Sequence, residues 1–331
     1  MKNPLVSIIT PVYNCGILIF ETFKSLESQT YKNIEWILVD DASDEKETKI
    51  YLDRIKQKAQ FPVRLIRNTT NRRQAYSKNI GFNHSVGEYV RFLDADDLME
   101  NSLIEKQINK ALESDSKEYI VVSPTKNFIE RQNGESQFWT NELYKSCNFE
   151  NDLISIFLTT PLFSHCGCLY PRVTIQRIQG FVEDLYTDED GWFLLKLMLN
   201  GAEFKMIDDT YYLYRQHQLT SRVSVNDNPR KWHDRFRVCL LFENEAKRLG
   251  VIDNYKYQLA QRIDLIASEY FTINQQEAED MFTKARLIAP NYLPKQGLSY
   301  YFFRRLLGRR ITGKILKLYR YAKFSLSKSL S

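Results

Sequence analysis

Three carboxylates fall within four residues at Asp94, Asp96 and Asp97, directly after an apolar run at residues 89–93. Carboxylates this close repel one another, and a hard divalent cation such as Mg²⁺ or Mn²⁺ would neutralise them while also contacting substrate phosphates. One carboxylate could then hold the metal and a neighbour could hold a sugar hydroxyl. The alternative is an acidic turn that caps the following helix. The motif alone leaves both interpretations open.

A second acidic segment, residues 187–190, precedes the apolar residues 191–199. Acids at a helix start interact favourably with the helix dipole, and Thr187 with Asp190 resembles a capping box. The functional interpretation is a general base, a carboxylate aimed at a substrate hydroxyl. These two interpretations also stay open.

Other candidates are isolated residues in predicted loops. Tyr13 follows the first apolar run, where an aromatic ring could either face a nucleobase or pack within its loop. His217 could contact a phosphate or a metal, although a lone histidine is more often structural. Only Cys166 and Cys168 lie close together among five cysteines, and one intervening residue is not the usual zinc spacing. We expect buried thiols there, and a reduced, intracellular protein.

The elements that must position these residues alternate along the first half of the chain. Strands are predicted at residues 5–10, 35–39, 63–66 and 89–93, and helices at about 17–28, 45–58 and 73–85. This alternation predicts a parallel sheet with helices on both faces. Ligands of such sheets bind at the carboxyl ends of the strands, where Asp40, Asp41 and Asp94 fall.

The rest of the chain is predicted less regularly. We expect one further strand at 119–123, a polar, loop-like segment over 126–150 and a helix over 190–199. Two short strands follow, at 204–207 and 211–214, and the pattern is helical from about 225 to the end.

The charge is distributed unevenly over the 331 residues. Residues 295–331 carry ten Lys or Arg and no acid, so the first 294 carry 36 basic and 41 acidic groups. A mildly acidic body argues against nucleic acid as a partner. The basic, amphipathic tail at 296–331 either lies in an anionic membrane interface or packs on the acidic body. Without a signal-peptide core or a stretch of about 18 apolar residues, the sequence predicts a cytoplasmic protein, with peripheral contact to the inner membrane face left open.

Taken in order, several segments resemble the bacterial type of family 2 glycosyltransferase, an inverting group with the GT-A fold. The matching segments are residues 6–14, 36–43, 79–81, 87–90, 92–97, 180–181, 189–190 and 214–217. Their order over about 215 residues makes the resemblance specific. It implies a GT-A domain over residues 1–222, with a mixed, mostly parallel Rossmann-like nucleotide-binding sheet flanked by helices, and a helical extension over 223–331.

The resemblance also implies roles for particular residues. The residues that would bind the nucleotide-sugar are Pro11, Tyr13, Asn14, Asp41, Arg73, Asp94, Asp96 and His217. Asp96 would also hold Mn²⁺ or Mg²⁺, with Asp97 as an alternative metal contact, and Asp190 would be the catalytic base. The chain departs from the family at residues 72–74 and at Lys78-Asn79, where a glycine-containing loop and an Arg-Asn pair are usual.

The expected function is metal-dependent, inverting transfer of a sugar from a nucleoside-diphosphate donor, with a UDP-sugar as the expected donor. The acceptor would be a glycan or a lipid-linked molecule in cell-surface polysaccharide synthesis. A nucleotide-sugar-binding relative without transfer activity and a membrane-surface scaffold remain alternatives. A dinucleotide-dependent oxidoreductase is disfavoured because no Gly-x-Gly-x-x-Gly follows the first strand.

Overall fold

The computed structural model describes residues 3–113, 119–130, 136–140, 152–160, 162–216 and 229–293. Contacts divide the chain into two units. The first comprises the described parts of Met1–Leu153 and Pro161–Arg222, and the second comprises Ile154–Thr160 with the described part of Val223–Ser331. His217 and the tail at 296–331 lie outside the described residues.

The first unit contains the predicted alternation of strands and helices. Its strands are β1 (Val6–Val12), β2 (Ile34–Asp40), β3 (Val63–Arg67), β4 (Tyr89–Phe92), β5 (Leu98–Met99), β6 (Tyr119–Val122), β7 (Thr125–Glu130), β8 (Ser136–Thr140), β9 (Cys168–Pro171), β10 (Glu203–Met206) and β11 (Tyr212–Arg215). Its helices are α1 (Leu18–Glu27), α2 (Lys46–Lys58), α3 (Arg73–His84), α4 (Leu103–Ala111), α6 (Arg172–Ile178) and α7 (Glu189–Leu199). The helix between them in sequence, α5 (Leu153–Thr159), falls almost wholly in the second unit.

Seven strands form the central sheet in the order β10-β6-β9-β4-β1-β2-β3. Strands β1 to β4 are parallel, β9 runs antiparallel to both β4 and β6, and β10 is parallel to β6. The predicted mixed, mostly parallel sheet is therefore confirmed, and β9 is its antiparallel member.

Side-chain patterning explains why these segments form a sheet covered on both faces. All seven residues of β2 are buried, as expected for a central parallel strand with helices above and below it. Helix α1 buries Ile19, Phe23 and Leu26, whose spacing places them on one face. The ring of Phe23 stacks on that of Trp36 in β2, with centroids 6.2 Å apart. This contact fixes α1 against the sheet.

A second, smaller sheet has the strand order β5-β11-β7-β8. The prediction of a loop-like segment over 126–150 is wrong where β7 and β8 pair as antiparallel strands. A polar sequence of this kind is typical of a loop, and strand β7 is held mainly by backbone pairing with β11 and β8. Only Phe128 of β7 is fully buried. Residues 131–135 and 141–151 lie outside the described part of the chain.

In the second unit, the described residues after 228 form α8 (Pro229–Arg248), α9 (Ile252–Tyr270) and α10 (Gln275–Ile288). Apolar side chains such as Phe242, Ile263 and Phe282 are buried in this unit. Helix formation after about residue 225 therefore agrees with the predicted pattern as far as residue 288. Within the described ranges, no helix combines the length and apolar character that crossing a bilayer requires.

Candidate active site at the carboxyl edge of the sheet

Strand β9 places the turn that precedes it, which the sequence did not predict as part of the site, at the carboxyl edge of the sheet. Because β9 is antiparallel, its first residue, Cys168, pairs with Val122 at the carboxyl end of β6. The 3₁₀ turn just before it, His165–Gly167, therefore lies beside the acidic segment that follows β4. Gly167 allows this close approach, since a Cβ there would stand 2.8 Å from the Ser123 carbonyl oxygen.

The carboxylate of Asp190, in the first turn of α7, is held by two buried side chains. Lys78 Nζ donates to Asp190 Oδ1 over 2.7 Å, and His165 Nδ1 lies 3.1 Å from Asp190 Oδ2. Lys78 is completely buried, whereas the Asp190 side chain keeps 35% of its surface exposed. Asp190 is thus fixed in orientation and remains accessible.

Asp190 and its neighbour Glu189 have opposite pKa shifts. Burial would raise the pKa of Asp190, but His165 and Lys78 lower it below its ordinary value. Burial and Asp190 raise the pKa of Glu189 to about 8, and Lys78, 3.7 Å away, offsets this only in part. These shifts favour the ionised form of Asp190 and the protonated form of Glu189. Asp190 is therefore the better candidate for a base.

His165 contacts Asp190 as a neutral imidazole. Burial lowers the pKa of His165 to about 3, although Asp190 acts in the opposite direction. Because the ionised Asp190 can only accept, the neutral ring donates its Nδ1–H to that carboxylate. Its Nε2 then carries the lone pair and lies 3.2 Å from Cys166 Sγ.

The acidic segment after β4 is held in place by Arg215 at the end of β11. The Arg215 backbone N–H donates to Asp97 Oδ1 over 2.7 Å, and its Nε donates to the Asp96 carbonyl over 2.7 Å. The guanidinium also pairs with Glu21 and Glu130. The second oxygen of the buried Asp97 accepts from the Tyr212 hydroxyl. Asp97 is therefore engaged by protein donors through both carboxylate oxygens.

Asp94 and Asp96 fit a hard divalent cation better than Asp97 does. Both side chains are half-buried, whereas that of Asp97 is fully buried, and the Asp96 carbonyl accepts from Arg215 Nε. Burial raises the pKa of Asp94 to about 6; Lys78 opposes this shift, and Asp96 adds to it. Such crowding of like charges is relieved by a cation with oxygen ligands.

The carboxylate of Asp41 organises the loop before α3. It accepts from Asn68 Nδ2 over 2.7 Å and from the backbone N–H groups of Arg72 and Arg73 over 2.9 and 2.6 Å. An anion beside the first N–H groups of a helix is favourable. The Arg73 guanidinium lies over the Tyr186 ring, 4.5 Å from its centroid.

The end of β1 contributes the remaining described candidates. Pro11 is half-buried within β1, and Tyr13 is 51% exposed just beyond it. Asn14 instead holds the neighbouring loop: its Oδ1 accepts from the N–H groups of Asp44 and Glu45, and its Nδ2 donates to Asp44. Roles of these residues toward a nucleotide stay predictions.

Backbone strain is concentrated around these loops. Among the described non-glycine residues, five have positive φ angles, and four of them adjoin the candidate site: Asn14 (46°), Ala42 (62°), Arg73 (73°) and Asp188 (63°). Residues outside the favoured region of φ and ψ are common at functional sites, where surrounding contacts must hold them. The bonds from Asp41 and Asn14 are contacts of this kind.

The two capping alternatives are wrong. Helix α7 begins after Asp188 without a side-chain cap, and Asp190 contacts Lys78 and His165 instead of a backbone N–H of its own helix. Helix α4 begins after Ser102, also without a side-chain cap, so the carboxylates of residues 94–97 do not serve it. Neither acidic segment therefore serves as a side-chain cap of the helix that follows it.

Sequence reasoning missed three residues of the site: Lys78, His165 and Arg215. The sequence contained one indication of Lys78, because this lysine occupies a position where the family usually has arginine. Arg215 lies in the matching segment 214–217, but nothing in the sequence indicated its contacts with Asp96 and Asp97. His165 could not be located without the antiparallel pairing of β9. Of the predicted residues, the structure brings Asp94 and Asp190 near one another and joins Asp41 to the backbone N–H of Arg73.

A mixed, mostly parallel sheet with acidic side chains at the carboxyl ends of its strands is the architecture of the GT-A fold. A sequence profile of glycosyl transferase family 2 matches residues 7–178. This chain therefore belongs to glycosyl transferase family 2.

Two relatives illustrate the sequence similarity. An uncharacterized glycosyltransferase of Haemophilus influenzae is 40% identical over 114 residues, covering 34% of this chain and 45% of that protein. The glycosyltransferase GlyG of Streptococcus pneumoniae is 32% identical over 222 residues, covering 65% of this chain and 71% of GlyG. The chain thus spans less than half of the first relative and about seven-tenths of the second.

Two solved structures share the fold at low sequence identity. S. aureus TarS 1–349 in complex with UDP-GlcNAc has a TM-score of 0.63 at 18% identity, over 97% of this chain and 92% of that one. The mannosyltransferase PcManGT from Pyrobaculum calidifontis, in complex with GDP-Man and Mn²⁺, has a TM-score of 0.54 at 18% identity, over 97% and 88% of the two chains.

Proposed function

We propose that this chain is an inverting glycosyltransferase that moves a sugar from a nucleoside-diphosphate donor to an acceptor hydroxyl. The observation that carries the proposal is the carboxylate of Asp190, fixed by Lys78 and His165 beside Asp94. The acceptor oxygen attacks the anomeric carbon, its proton passes to Asp190, and the nucleoside diphosphate leaves with the bonding electrons. A single displacement of this kind inverts the anomeric configuration.

The donor in this proposal is a UDP-sugar. Its support is family membership together with the fold shared with TarS, which binds UDP and UDP-GlcNAc. Pro11, Tyr13, Asp41 and Arg73 would line the base and ribose pocket. Asn14 would act indirectly by holding the loop beside that pocket, and His217 would lie near the diphosphate.

Mn²⁺ or Mg²⁺ would be held by Asp96, with Asp94 on the sugar-nucleotide. When bound, the cation neutralises charge that develops on the leaving diphosphate. Asp97 would position this segment rather than ligate the metal, because Tyr212 and Arg215 already engage both of its carboxylate oxygens. The same two contacts fix the segment before the donor arrives.

The proposed acceptor is a glycan or lipid-linked molecule in cell-surface polysaccharide synthesis. The support is indirect: the chain resembles bacterial glycosyltransferases, and its basic tail is suited to an anionic surface. Transfer would then take place in the cytoplasm or at the inner face of the cell membrane.

A nucleotide-sugar-binding relative without transfer activity is the main alternative. Binding alone has no use for an ionised carboxylate fixed by two buried side chains and left one-third exposed. Burying Lys78 and His165 has a free-energy cost, and we expect such a cost where the two side chains hold a catalytic base in place. This arrangement favours the transferase.

Two substitutions separate donor binding from catalysis. Asp96→Asn should weaken donor binding in the presence of Mn²⁺, because the metal and the diphosphate are held jointly. Asp190→Asn should leave that binding nearly unchanged but lower turnover by about 10²–10⁴-fold, the usual contribution of a positioned base. Calorimetric titration of UDP-sugars with Mn²⁺, beside a turnover assay, measures both effects.

Asp188→Asn is the matched control, since asparagine tolerates the positive φ of this neighbouring position and removes one carboxylate outside the proposed site. It should retain turnover. Full turnover by Asp190→Asn would exclude Asp190 as the base. A product with retained anomeric configuration, determined by nuclear magnetic resonance, would exclude single displacement.

A further inference from the structure

Arg73, the first residue of α3, has a backbone conformation that few residues with a side chain adopt. Its φ angle is 73°, in the left-handed region that only glycine enters without cost. The hydrogen bond from its backbone N–H to Asp41 is one that glycine would make equally well. The proposed function assigns the Arg73 side chain nothing beyond the wall of the base and ribose pocket. The strained backbone at this position supports a further role for that side chain.

The Arg73 guanidinium is held in place by an aromatic ring. Its Cζ lies over the Tyr186 ring, 4.5 Å from the ring centroid, and Arg73 is half-buried. A guanidinium over an aromatic ring is attracted by the electrons of that ring and keeps its N–H groups for other partners. Within the ranges that the structure describes, those N–H groups have no hydrogen-bond or ion-pair partner. The charge is therefore positioned, but no described residue neutralises it.

Arg73 links the two parts of the site that the ends of a nucleotide-sugar would occupy. Its backbone N–H donates to Asp41 on the nucleoside side, and its guanidinium contacts Tyr186, four residues before Asp190. Lys78 of the same helix reaches Asp190 itself. Because the phosphates of a nucleotide-sugar connect its nucleoside to its sugar, a cation between Asp41 and Asp190 is suited to them. The planar fork of N–H donors in a guanidinium also matches the oxygens of a phosphate.

We propose that the Arg73 guanidinium binds a phosphate group of a substrate and that Tyr186 is the residue that positions it. This inference rests on the proposed function, since it places the phosphate between the nucleoside and the proposed base. The phosphate belongs either to the diphosphate of the donor or to an acceptor that carries a phosphate of its own. Both sources offer the same oxygens to the guanidinium, and the two tests below separate them.

The first test compares UDP with uridine, each titrated by calorimetry into the full chain without divalent metal, so that the protein's own phosphate contacts are measured. Arg73→Gly suits the positive φ angle and removes the guanidinium. It should weaken UDP binding about 10–100-fold, the usual value of a hydrogen bond to a charged group, and leave uridine binding unchanged. Its urea midpoint should stay close to that of wild type, because relief of backbone strain offsets the lost contact with Tyr186.

The second test titrates inorganic pyrophosphate into the chain with and without saturating UDP. Weaker pyrophosphate binding by UDP-saturated Arg73→Gly, with UDP affinity intact, would assign the guanidinium to a phosphate of the acceptor. Tyr186→Ala should weaken binding of the same ligand about 2–5-fold, as expected for the loss of a cation–π contact, and Tyr186→Phe, which keeps the ring, should not. Arg64→Gln is the control, since it removes one positive charge near the other end of α3, where Arg64 donates to the His84 carbonyl.

Equal losses of UDP and uridine binding in Arg73→Gly would mean that Arg73 only shapes the pocket, and they would overturn the proposal. Unchanged binding of both UDP and pyrophosphate, or a loss of the same size in Arg64→Gln, would overturn it too. So would a wild-type chain that binds neither ligand. If wild type binds pyrophosphate through Arg73 but does not bind UDP, the phosphate site stands and the proposed donor fails. If wild type binds UDP and Arg73→Gly changes nothing, the proposed donor stands and this inference fails.

Discussion

Lys78 is a single buried ammonium that affects two neighbouring carboxyl groups differently. Its Nζ is 2.7 Å from Asp190 but 3.7 Å from Glu189. Burial would lower the pKa of Lys78, but Asp190 and Glu189 raise it above its ordinary value, so Lys78 stays charged. This charge keeps Asp190 ionised, whereas the more deeply buried Glu189 has a pKa of about 8.

Replacing Lys78 should change the pH dependence of turnover. Lys78 lowers the pKa of Asp190, so Lys78→Gln should raise it. A base works only when deprotonated, and the acidic limb of the turnover profile should therefore move to higher pH. Lys78→Arg, which keeps the charge, should restore the wild-type position. Turnover measured from pH 4 to pH 9 tests this.

The same substitution should also destabilise the fold. Removing one partner of a fully buried ion pair costs about 3–5 kcal/mol, and the cost here should be smaller because Asp190 is one-third exposed. Lys106→Gln is the control, since the half-buried Lys106 pairs with the exposed Asp209. It should leave both the acidic limb and the urea midpoint unchanged. An acidic limb that does not move in Lys78→Gln would contradict the role given to Lys78.

At the scale of elements, the antiparallel strand β9 determines what the site contains. It lies between β4 and β6, and the turn that leads into it carries His165 and Cys166. Three donors fix this turn at the Gly167 carbonyl: the Ser123 backbone N–H, the Ser123 hydroxyl and Gln107 Nε2. The position of His165 thus depends on one short strand and its hydrogen bonds.

Gly167→Ala should disturb this turn. The added Cβ would stand 2.8 Å from the Ser123 carbonyl oxygen, a backbone atom that cannot rotate away. Overpacking of this kind costs about 1–3 kcal/mol. Because the turn carries His165, turnover should fall as well, while donor binding at the ends of β1 and β2 should change less. Urea unfolding, turnover and donor titration measure the three effects.

Gln176→Ala, on an exposed position of the next helix, is the control and should stay within about 0.5 kcal/mol of wild type. Wild-type stability and turnover in Gly167→Ala would mean that the backbone around residue 167 can move. The turn would then not determine the position of His165.

Local pattern was enough to predict the parallel half of the sheet, but not the complete site. Strands such as β2 are rich in apolar residues, and their order follows from the short connections between them. Asp190 was found because its motif is local. Lys78 and Asp190, in contrast, are 112 residues apart and meet only after the whole sheet has formed. Polar strands such as β7 were not predicted, because a strand held by backbone hydrogen bonds needs no apolar pattern in its sequence.

At the scale of the whole molecule, the uneven charge is the main feature that the site does not explain. The 37 residues from 295 to 331 carry ten basic groups, although the first 294 have an excess of acids. Each Lys or Arg near an anionic membrane contributes about 1 kcal/mol, and the attraction weakens as salt screens it. We therefore predict that the basic tail brings the enzyme to an anionic membrane surface.

Removal of residues 296–331 should abolish association with anionic vesicles at low salt. The full chain should sediment with vesicles that contain phosphatidylglycerol, and high salt or zwitterionic vesicles should release it. Turnover on a soluble acceptor should be unaffected by the truncation. Equal sedimentation of both chains would contradict membrane contact through the tail.

The strand order also affects how the chain folds while it is being made. Strands β4 and β6 are both synthesised before β9, which pairs with each of them and begins about 45 residues after β6 ends. At roughly 5–20 residues per second, the ribosome leaves these two strand edges unpaired for several seconds. Open edges can pair with other chains. Slow translation before β9 has left the ribosome should therefore increase aggregation of the nascent protein, whereas pauses after β9 has emerged should be harmless to these edges.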